Sequence, residues 1–359
     1  MTNRDLKQQQ FAQTFLNSGK FGILNLCPRF GKIYTSINIL EALNPHDTVL
    51  IAYPDVKIKD SWLKDFETRG YNNPNVTFVT HLSLHKHINH EFDIIIIDEI
   101  HLLSEAQIEA CKELLEGNDV VLGLTGTLSK WTERVLCDEL SLCVLATYTI
   151  DEAIKDGVIV DYQINIVQVN LDNITKNDYK GKKKTEKKAF DDYGWVIDNL
   201  ERQGRNTMFL RLARMRLIQN SLAKLNKTKD LLKKFKDERV LVFCGITKIA
   251  DALGIPSYHS KSSEKALFDN FASGEGNHMA VVKIGNSGVT YKPLNRVIIN
   301  YFDSNAENLA QKINRCMGME YNNPDKKADI YIITSTESVE QKWLNKALEF
   351  FDKSKIKYL

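Results

Sequence analysis

The stretch Ile94-Ile95-Ile96-Ile97-Asp98-Glu99-Ile100-His101 decides the fold. Four consecutive β-branched residues give a strand that is apolar on both faces, as a strand buried inside a parallel sheet reads. The expected strand covers 93–97. Two acids follow at its carboxyl end, where open α/β sheets bind their ligands. Adjacent carboxylates leaving a buried strand are costly unless they serve a cation or a reaction. The plain alternative is a strand-ending turn with two solvated acids.

A second segment weighs against that alternative. Roughly 65 residues upstream, Leu26-Cys27-Pro28-Arg29-Phe30-Gly31-Lys32-Ile33 lies between an expected strand over 21–26 and an expected helix over 31–43. A strand–loop–helix of this kind aims backbone N–H groups and the positive helix end at phosphates, with the lysine reaching their oxygens. Pro28, Arg29, Phe30, Gly31, Lys32 and Ile33 are the candidate nucleotide-binding residues. The match to GxxxxGK[ST] is partial. Gly31 and Lys32 fit, Leu26 stands at the first glycine, and Ile33 stands where a hydroxyl binds magnesium.

Working outward, expected strands over 48–52, 76–80 and 120–124 alternate with expected helices over 61–68 and 105–115. This alternation predicts a mostly parallel α/β sheet. A β-type stretch covers 158–169. From 176 to 236 no convincing strand is seen, 180–188 is a lysine-rich run read as exposed and mobile, and 206–236 has a helical pattern. From 239 the α/β alternation returns, with strands expected over 240–244, 279–284, 296–301 and 330–333. The domains expected are an α/β lobe over 1–150, a bridging strand with a basic helical insertion over 151–236, and a second α/β lobe over 237–359.

Composition bounds the class. The 359 residues are 43% hydrophobic and 26% charged, the balance of a soluble globular chain. No apolar run reaches the length of a membrane span, and the N-terminus lacks the apolar core of a signal peptide. The six cysteines include no CxxC pair, so reduced thiols in a cytosol-like compartment are expected, a host cytoplasm if the source is viral. Net charge is only +2, yet 172–236 holds 18 Lys/Arg against 8 Asp/Glu. Such asymmetry suits either a polyanion partner or a solvated helical face.

Asp-Glu-x-His after an apolar strand resembles motif II of the superfamily 2 helicases, and further segments resemble that family's motifs in order. Leu6–Ala12, with Gln9 or Gln10, resembles the adenine-reading segment. Leu50-Ile51-Ala52-Tyr53-Pro54 followed by Trp62 resembles motif Ia, and Leu124-Thr125-Gly126-Thr127 motif III. Val240–Cys244 with Gly245 resembles motif IV, Gly285-Asn286-Ser287-Gly288-Val289-Thr290 motif V, and Gln311-Lys312-Ile313-Asn314-Arg315 motif VI. The 151–162 segment resembles the bridge in helicases related to phage enzymes and restriction-enzyme motors.

The resemblance implies two RecA-like lobes with mostly parallel sheets and a basic helical element inserted between them. It implies ATP and Mg²⁺ bound between the lobes, with Asp98 holding the metal and Glu99 orienting water. Lys32, His101, Gln311 and Arg315 complete the implied catalytic set, and Gly288 is implied in nucleotide binding. Pro54, Thr80, Thr125, Thr127, Thr247, Thr290, Arg211 and Arg214 are implied on the nucleic-acid side. The expected function is an ATP-dependent helicase or translocase on single-stranded, duplex or branched DNA, with RNA as the alternative polymer. No membrane partner is expected, a protein partner is left open, and a monomer is expected.

Departures from the family pattern bear on turnover. Ile33 removes the magnesium-binding hydroxyl, and Gly318 stands where motif VI has its second arginine. Arg29 and Lys312 are extra cations. The competing reading is therefore a degenerate member that binds nucleic acid or a partner with little ATP turnover. His81, His85, His87 and His90 are read as a polar loop, and Trp131 and Trp343 as packing residues.

Overall fold

The structure is a computed structural model. It describes residues 1–179, 181–260, 265–282, 291, 294–319 and 326–359, apart from the side chains of Lys57, Glu307 and Ser338. The chain divides into two compact units, Met1–Val160 and Asp161–Leu359.

The first unit runs α1 (Asn3–Asn17), β1 (Phe21–Leu26), α2 (Lys32–Glu41), β2 (Val49–Tyr53), α3 (Val56–Arg69), β3 (Val76–Thr80), β4 (Ile94–Ile97), α4 (Glu105–Leu115), β5 (Val121–Thr125), α5 (Lys130–Leu140), β6 (Val144–Tyr148) and α6 (Ile150–Lys155). Its six strands are all parallel in the order β3-β2-β4-β5-β1-β6. The isoleucine run forms β4 because both its faces are covered, and all four side chains are at most 2% exposed. Each contributes roughly 1.5–3 kcal/mol by leaving water. Ile95 and Ile97 pack with Leu50, Ile23, Leu114 and Leu136 on one face of the sheet. Helix starts are fixed chemically: Thr2 with Asp5, Ser104 with Gln107 and Thr149 with Glu152 form capping boxes.

Strand order positions the site. β5 lies between β1 and β4, so the segments leaving β1 and β4 emerge on either side of Thr125 at one edge of the sheet.

The second unit runs β7 (Tyr162–Val169), β8 (Asn177–Tyr179), β9 (Lys182–Lys184), α7 (Glu186–Arg202), α8 (Met208–Gln219), α9 (Leu222–Lys234), β10 (Val240–Cys244), α10 (Thr247–Ala252), β11 (Ser257–Tyr258), α11 (Lys265–Ser273), β12 (His278–Val282), β13 (Arg296–Ile299), α12 (Ala306–Ile313), β14 (Ala328–Ser335), α13 (Ser338–Leu348) and β15 (Ile356–Tyr358). Seven parallel strands form one sheet in the order β11-β12-β10-β13-β14-β7-β15. Leu225, Leu231 and Leu232 of α9 pack on it. Lys224 and Glu340, both buried, form an ion pair joining α9 to α13.

Several expectations change. The first unit continues past 150 because Arg4 Nη2 donates to Val158 O at 2.7 Å and Tyr148 Oη to Asp156 Oδ2 at 2.9 Å. The stretch read as a bridge supplies β7, which is paired on both sides within the second sheet. The lysine run is not strandless: β9 pairs antiparallel with β8. The single helical pattern over 206–236 is two helices, broken where Ser221 caps α9. Trp131 is not a packing residue, being 73% exposed. Cys137 and Cys143 form a disulfide between α5 and the residue before β6, a spacing that a CxxC search passes over. The other four cysteines are free and buried.

Candidate active site

After β1 the chain turns sharply. Arg29 and Gly31 both adopt left-handed backbone angles, with φ of +69° and +97°. Cys27 N donates to Tyr148 O at 2.9 Å, tying the loop to β6. Phe30 is fully buried, 5.6 Å from the Phe11 ring and 5.0 Å from the Tyr148 ring. This anchor leaves Gly31 at the start of α2 with no side-chain cap, so the first N–H groups of the helix are available to an anion. A side chain at Gly31 would place Cβ 2.5 Å from Gln8 Nε2. Burial raises the Cys27 thiol to about 12, so it is no nucleophile.

Lys32 and Glu99 meet at the sheet edge, with Nζ 2.7 Å from Oε1. Across from Lys32, Gly126 allows close passage: a Cβ there would lie 3.1 Å from Nζ and 3.0 Å from Leu26 O. Glu99 has φ +49°, a left-handed turn that swings its carboxylate back over the end of β4. Its other oxygen is 3.5 Å from His101 Nδ1. His101 Nδ1 is in turn 2.9 Å from Thr125 Oγ1, whose hydroxyl donates to Thr127 O at 3.2 Å. That donation assigns the ring proton to Nδ1 and leaves Nε2 as a buried acceptor with no hydrogen-bond partner.

Asp98 is held from three directions. The Trp62 indole N–H donates to Oδ2 at 3.1 Å, and Glu99 N donates to Oδ1 at 2.9 Å. His81 Nε2 lies 2.9 Å from the Asp98 carbonyl and therefore carries the proton. Burial first, then the neighbouring Glu99 charge, raises Asp98 to about 6. Burial lowers His81 and His101 to about 4, so both rings are neutral at pH 7. Burial pushes Lys32 down, but Glu99 and Asp98 together push harder and leave it above its ordinary value.

The chemistry of this donor set suits a phosphate and a divalent cation. A carboxylate raised by burial and then by its acidic neighbour is relieved by positive charge. Among the described residues Asp98 is oriented by hydrogen bonds but forms no ion pair. Mg²⁺ therefore fits at Asp98, without the hydroxyl that Ile33 removes.

The sequence-chosen residues fall into distinct groups. Lys32, Asp98, Glu99, His101 and Thr125 come together, with Pro28, Arg29, Phe30 and Gly31 forming the adjoining loop and Ile33 the first turn of α2. Gln9 and Gln10 are exposed; the glutamine that reaches the loop is Gln8, whose Nε2 donates to Phe30 O at 2.9 Å. Helical phase decides this, since Gln8 shares a face with Phe11, Ala12 and Phe15. Thr125 and Thr127, expected on the nucleic-acid side, are buried: the Thr125 hydroxyl meets His101 Nδ1 and donates to Thr127 O. Pro54 and Thr80 are half-exposed at the ends of β2 and β3, Thr80 with Ser83 3.1 Å away.

In the second unit, Gln311 is half-buried on α12 and Arg315 half-buried in the short turn after it. Lys312 is buried, donates to Tyr301 O at 3.2 Å, and is lowered by burial to about 8. Thr247 starts α10. Gly288 and Thr290 lie outside the described residues. Arg211 is tied to Glu201 at 2.6 Å and Arg214 lies 3.9 Å over the Phe190 ring, so both hold α7 against α8. His81 was missed within a loop that reads as polar; it directly follows β3, which β2 separates from β4, and it reaches the Asp98 carbonyl from there.

A model of the family described as type III restriction enzyme, res subunit, matches residues 4–130, the segment that holds the whole constellation. Across this segment and in the relatives that follow, the chain is similar to superfamily 2 helicase-type proteins. A DNA 3'-5' translocase, XPB2 of Sulfurisphaera tokodaii, is 21% identical over 303 residues, 75% of this chain and 68% of that protein. The Pyrococcus furiosus Hef helicase domain matches with a TM-score of 0.55 at 13% identity, covering 97% of this chain and 99% of that one. S. cerevisiae Dbp5, bound to RNA and ADP BeF3, matches with a TM-score of 0.64 at 11% identity, covering 98% and 89%. Both structural likenesses share the two parallel-sheet units of the superfamily fold. Among the described residues, no helix is long and apolar enough to cross a membrane.

Proposed function

We propose that this helicase-like protein hydrolyses ATP and uses it to move along DNA. The observation that carries the reading is the Lys32–Glu99–His101–Thr125 chain at the edge of the first sheet. It joins a phosphate-binding lysine, a water-orienting acid and the end of β5 by contacts of 2.7, 3.5 and 2.9 Å. The likeness to a protein named as a DNA translocase supports DNA as the polymer.

The residues act as follows in this reading. Backbone N–H groups of the loop and Lys32 bind the phosphates, releasing Lys32 from Glu99. Glu99 then orients the attacking water, while the neutral His101 holds Glu99 in register with Thr125. Trp62 and His81 fix Asp98. Asp98 would hold Mg²⁺, which would supply neutralisation of charge on the phosphate oxygens. Gln311 and Arg315 are the second unit's proposed contribution to the phosphates, a role carried over from the resemblance. Pro54, Thr80 and Thr247 are proposed to meet the polymer backbone, making binding sequence-tolerant and salt-sensitive.

A second reading, binding with little turnover, draws on Ile33 and Gly318. The test is phosphate release across single-stranded, duplex, forked and RNA substrates, with strand displacement measured alongside. Stimulation by DNA that Lys32→Ala abolishes supports the motor. DNA binding that survives Lys32→Ala, with no release from the unmodified chain, supports the second reading.

A further inference from the structure

The insertion's exposed chemistry is not where its arginines first suggest. Arg211 and Arg214 are engaged by α7, but the turn between α7 and α8 presents a different surface. Residues 202–209, Arg202-Gln203-Gly204-Arg205-Asn206-Thr207-Met208-Phe209, contain two arginines and no acid. Phe209 is 78% exposed and Met208 54%. Arg202 and Arg205 are exposed, and none of the ion pairs among the described residues involves either.

This turn is held rigidly. Thr207 is buried, and its hydroxyl and the Arg211 guanidinium both bond Glu201 Oε1. Met208 N donates to Asn206 Oδ1 at 2.9 Å, and Arg205 N to Leu200 O at 3.0 Å. A pinned turn that displays a phenylalanine loses little further entropy when it binds something.

We propose that this tip is a stacking platform for single-stranded DNA: Phe209, backed by Met208, takes a base, and Arg202 and Arg205 take the flanking phosphates. The inference rests on the nucleic-acid reading above and deepens it. An exposed aromatic plate with two cations in the same turn suits a base and its phosphates, which every base satisfies through its π-face. The acid-free composition makes the charge complementary to a polyanion.

The test uses the full chain, without nucleotide, and fluorescein-labelled oligothymidylate read by anisotropy. Phe209→Ala, at a position too exposed to threaten folding, is expected to weaken binding roughly tenfold, and Phe209→Trp to restore it with added fluorescence quenching on saturation. Arg202→Gln with Arg205→Gln is expected to lower the salt slope by about 0.7 for each phosphate the variant no longer neutralises. Unchanged affinity in Phe209→Ala, with the unmodified chain binding well, overturns the platform alone. So does loss of self-association, rather than of oligonucleotide binding, in that variant. An unmodified chain that neither binds DNA nor hydrolyses ATP overturns both this inference and the motor reading.

Discussion

Lys32 Nζ lies 2.7 Å from Glu99 Oε1, so the lysine proposed to bind phosphate is engaged by the acid proposed to orient water. Neither group can perform its role until the pair separates. Under the proposed function, incoming phosphate competes for Lys32 and frees Glu99 in the same event, which links binding to activation. Glu99→Gln keeps the shape but drops the charge that holds Lys32. It is expected to cut hydrolysis at least about a hundredfold while tightening nucleotide binding, as read by phosphate release and a fluorescent nucleotide. Weaker nucleotide binding in this variant contradicts the competition.

Trp62 is fully buried and its indole N–H is 3.1 Å from Asp98 Oδ2. Trp62→Phe keeps most of the apolar packing and removes the donor. A buried charge losing one partner destabilises by about 1–3 kcal/mol, measurable by urea unfolding. Hydrolysis should also need more Mg²⁺ for half-maximal rate, because Asp98 is less firmly aimed. A stability loss with an unchanged Mg²⁺ requirement would assign Trp62 to packing only.

The buried histidines set a pH dependence. His81 sits near 4 when folded against about 6.5 when unfolded, so the unfolded chain binds more protons in that window. Its contribution is fully present above pH 6.5 and is lost as pH falls toward 4, roughly 3 kcal/mol in all. His101 acts in the same direction. Asp98, raised to about 6, acts in the opposite direction between about 4 and 6 and offsets about one of them. Thermal unfolding should therefore show stability falling on acidification from pH 6.5, and His81→Gln should flatten the fall. An unchanged slope in that variant excludes His81 as its source.

Ile33 occupies the first turn of α2, beside Lys32, and is half-exposed. Ile33→Thr restores a hydroxyl where the resemblance places a magnesium ligand. Turnover is expected to rise about three- to tenfold at limiting Mg²⁺. No change would mean that Asp98 and solvent already satisfy the cation.

The sequence made the first sheet legible because its signals are local. Ile94–Ile97 announces a central strand, and Gly31-Lys32 announces a loop opening a helix. The resemblance implied a shared site for Lys32 and Glu99; the strand order, with β5 between β1 and β4, is what brings both loops to one edge. What escaped was set by packing. Gln8 rather than Gln9 or Gln10 reaches the loop because of helical phase against Phe11 and Phe15. His81 looked polar because only the folded sheet places it under Asp98. Arg211 and Arg214 looked like free cations because Glu201 and Phe190 lie on a different helix. β9 escaped because a run of lysines has no apolar alternation to mark a strand.

The most direct measurement of the central claim is steady-state phosphate release from ATP with Mg²⁺, by the unmodified chain and by Glu99→Gln, with and without DNA. Release that DNA stimulates and that Glu99→Gln removes is the expected result. Release by the unmodified chain no greater than that of Glu99→Gln, under both conditions, would contradict it.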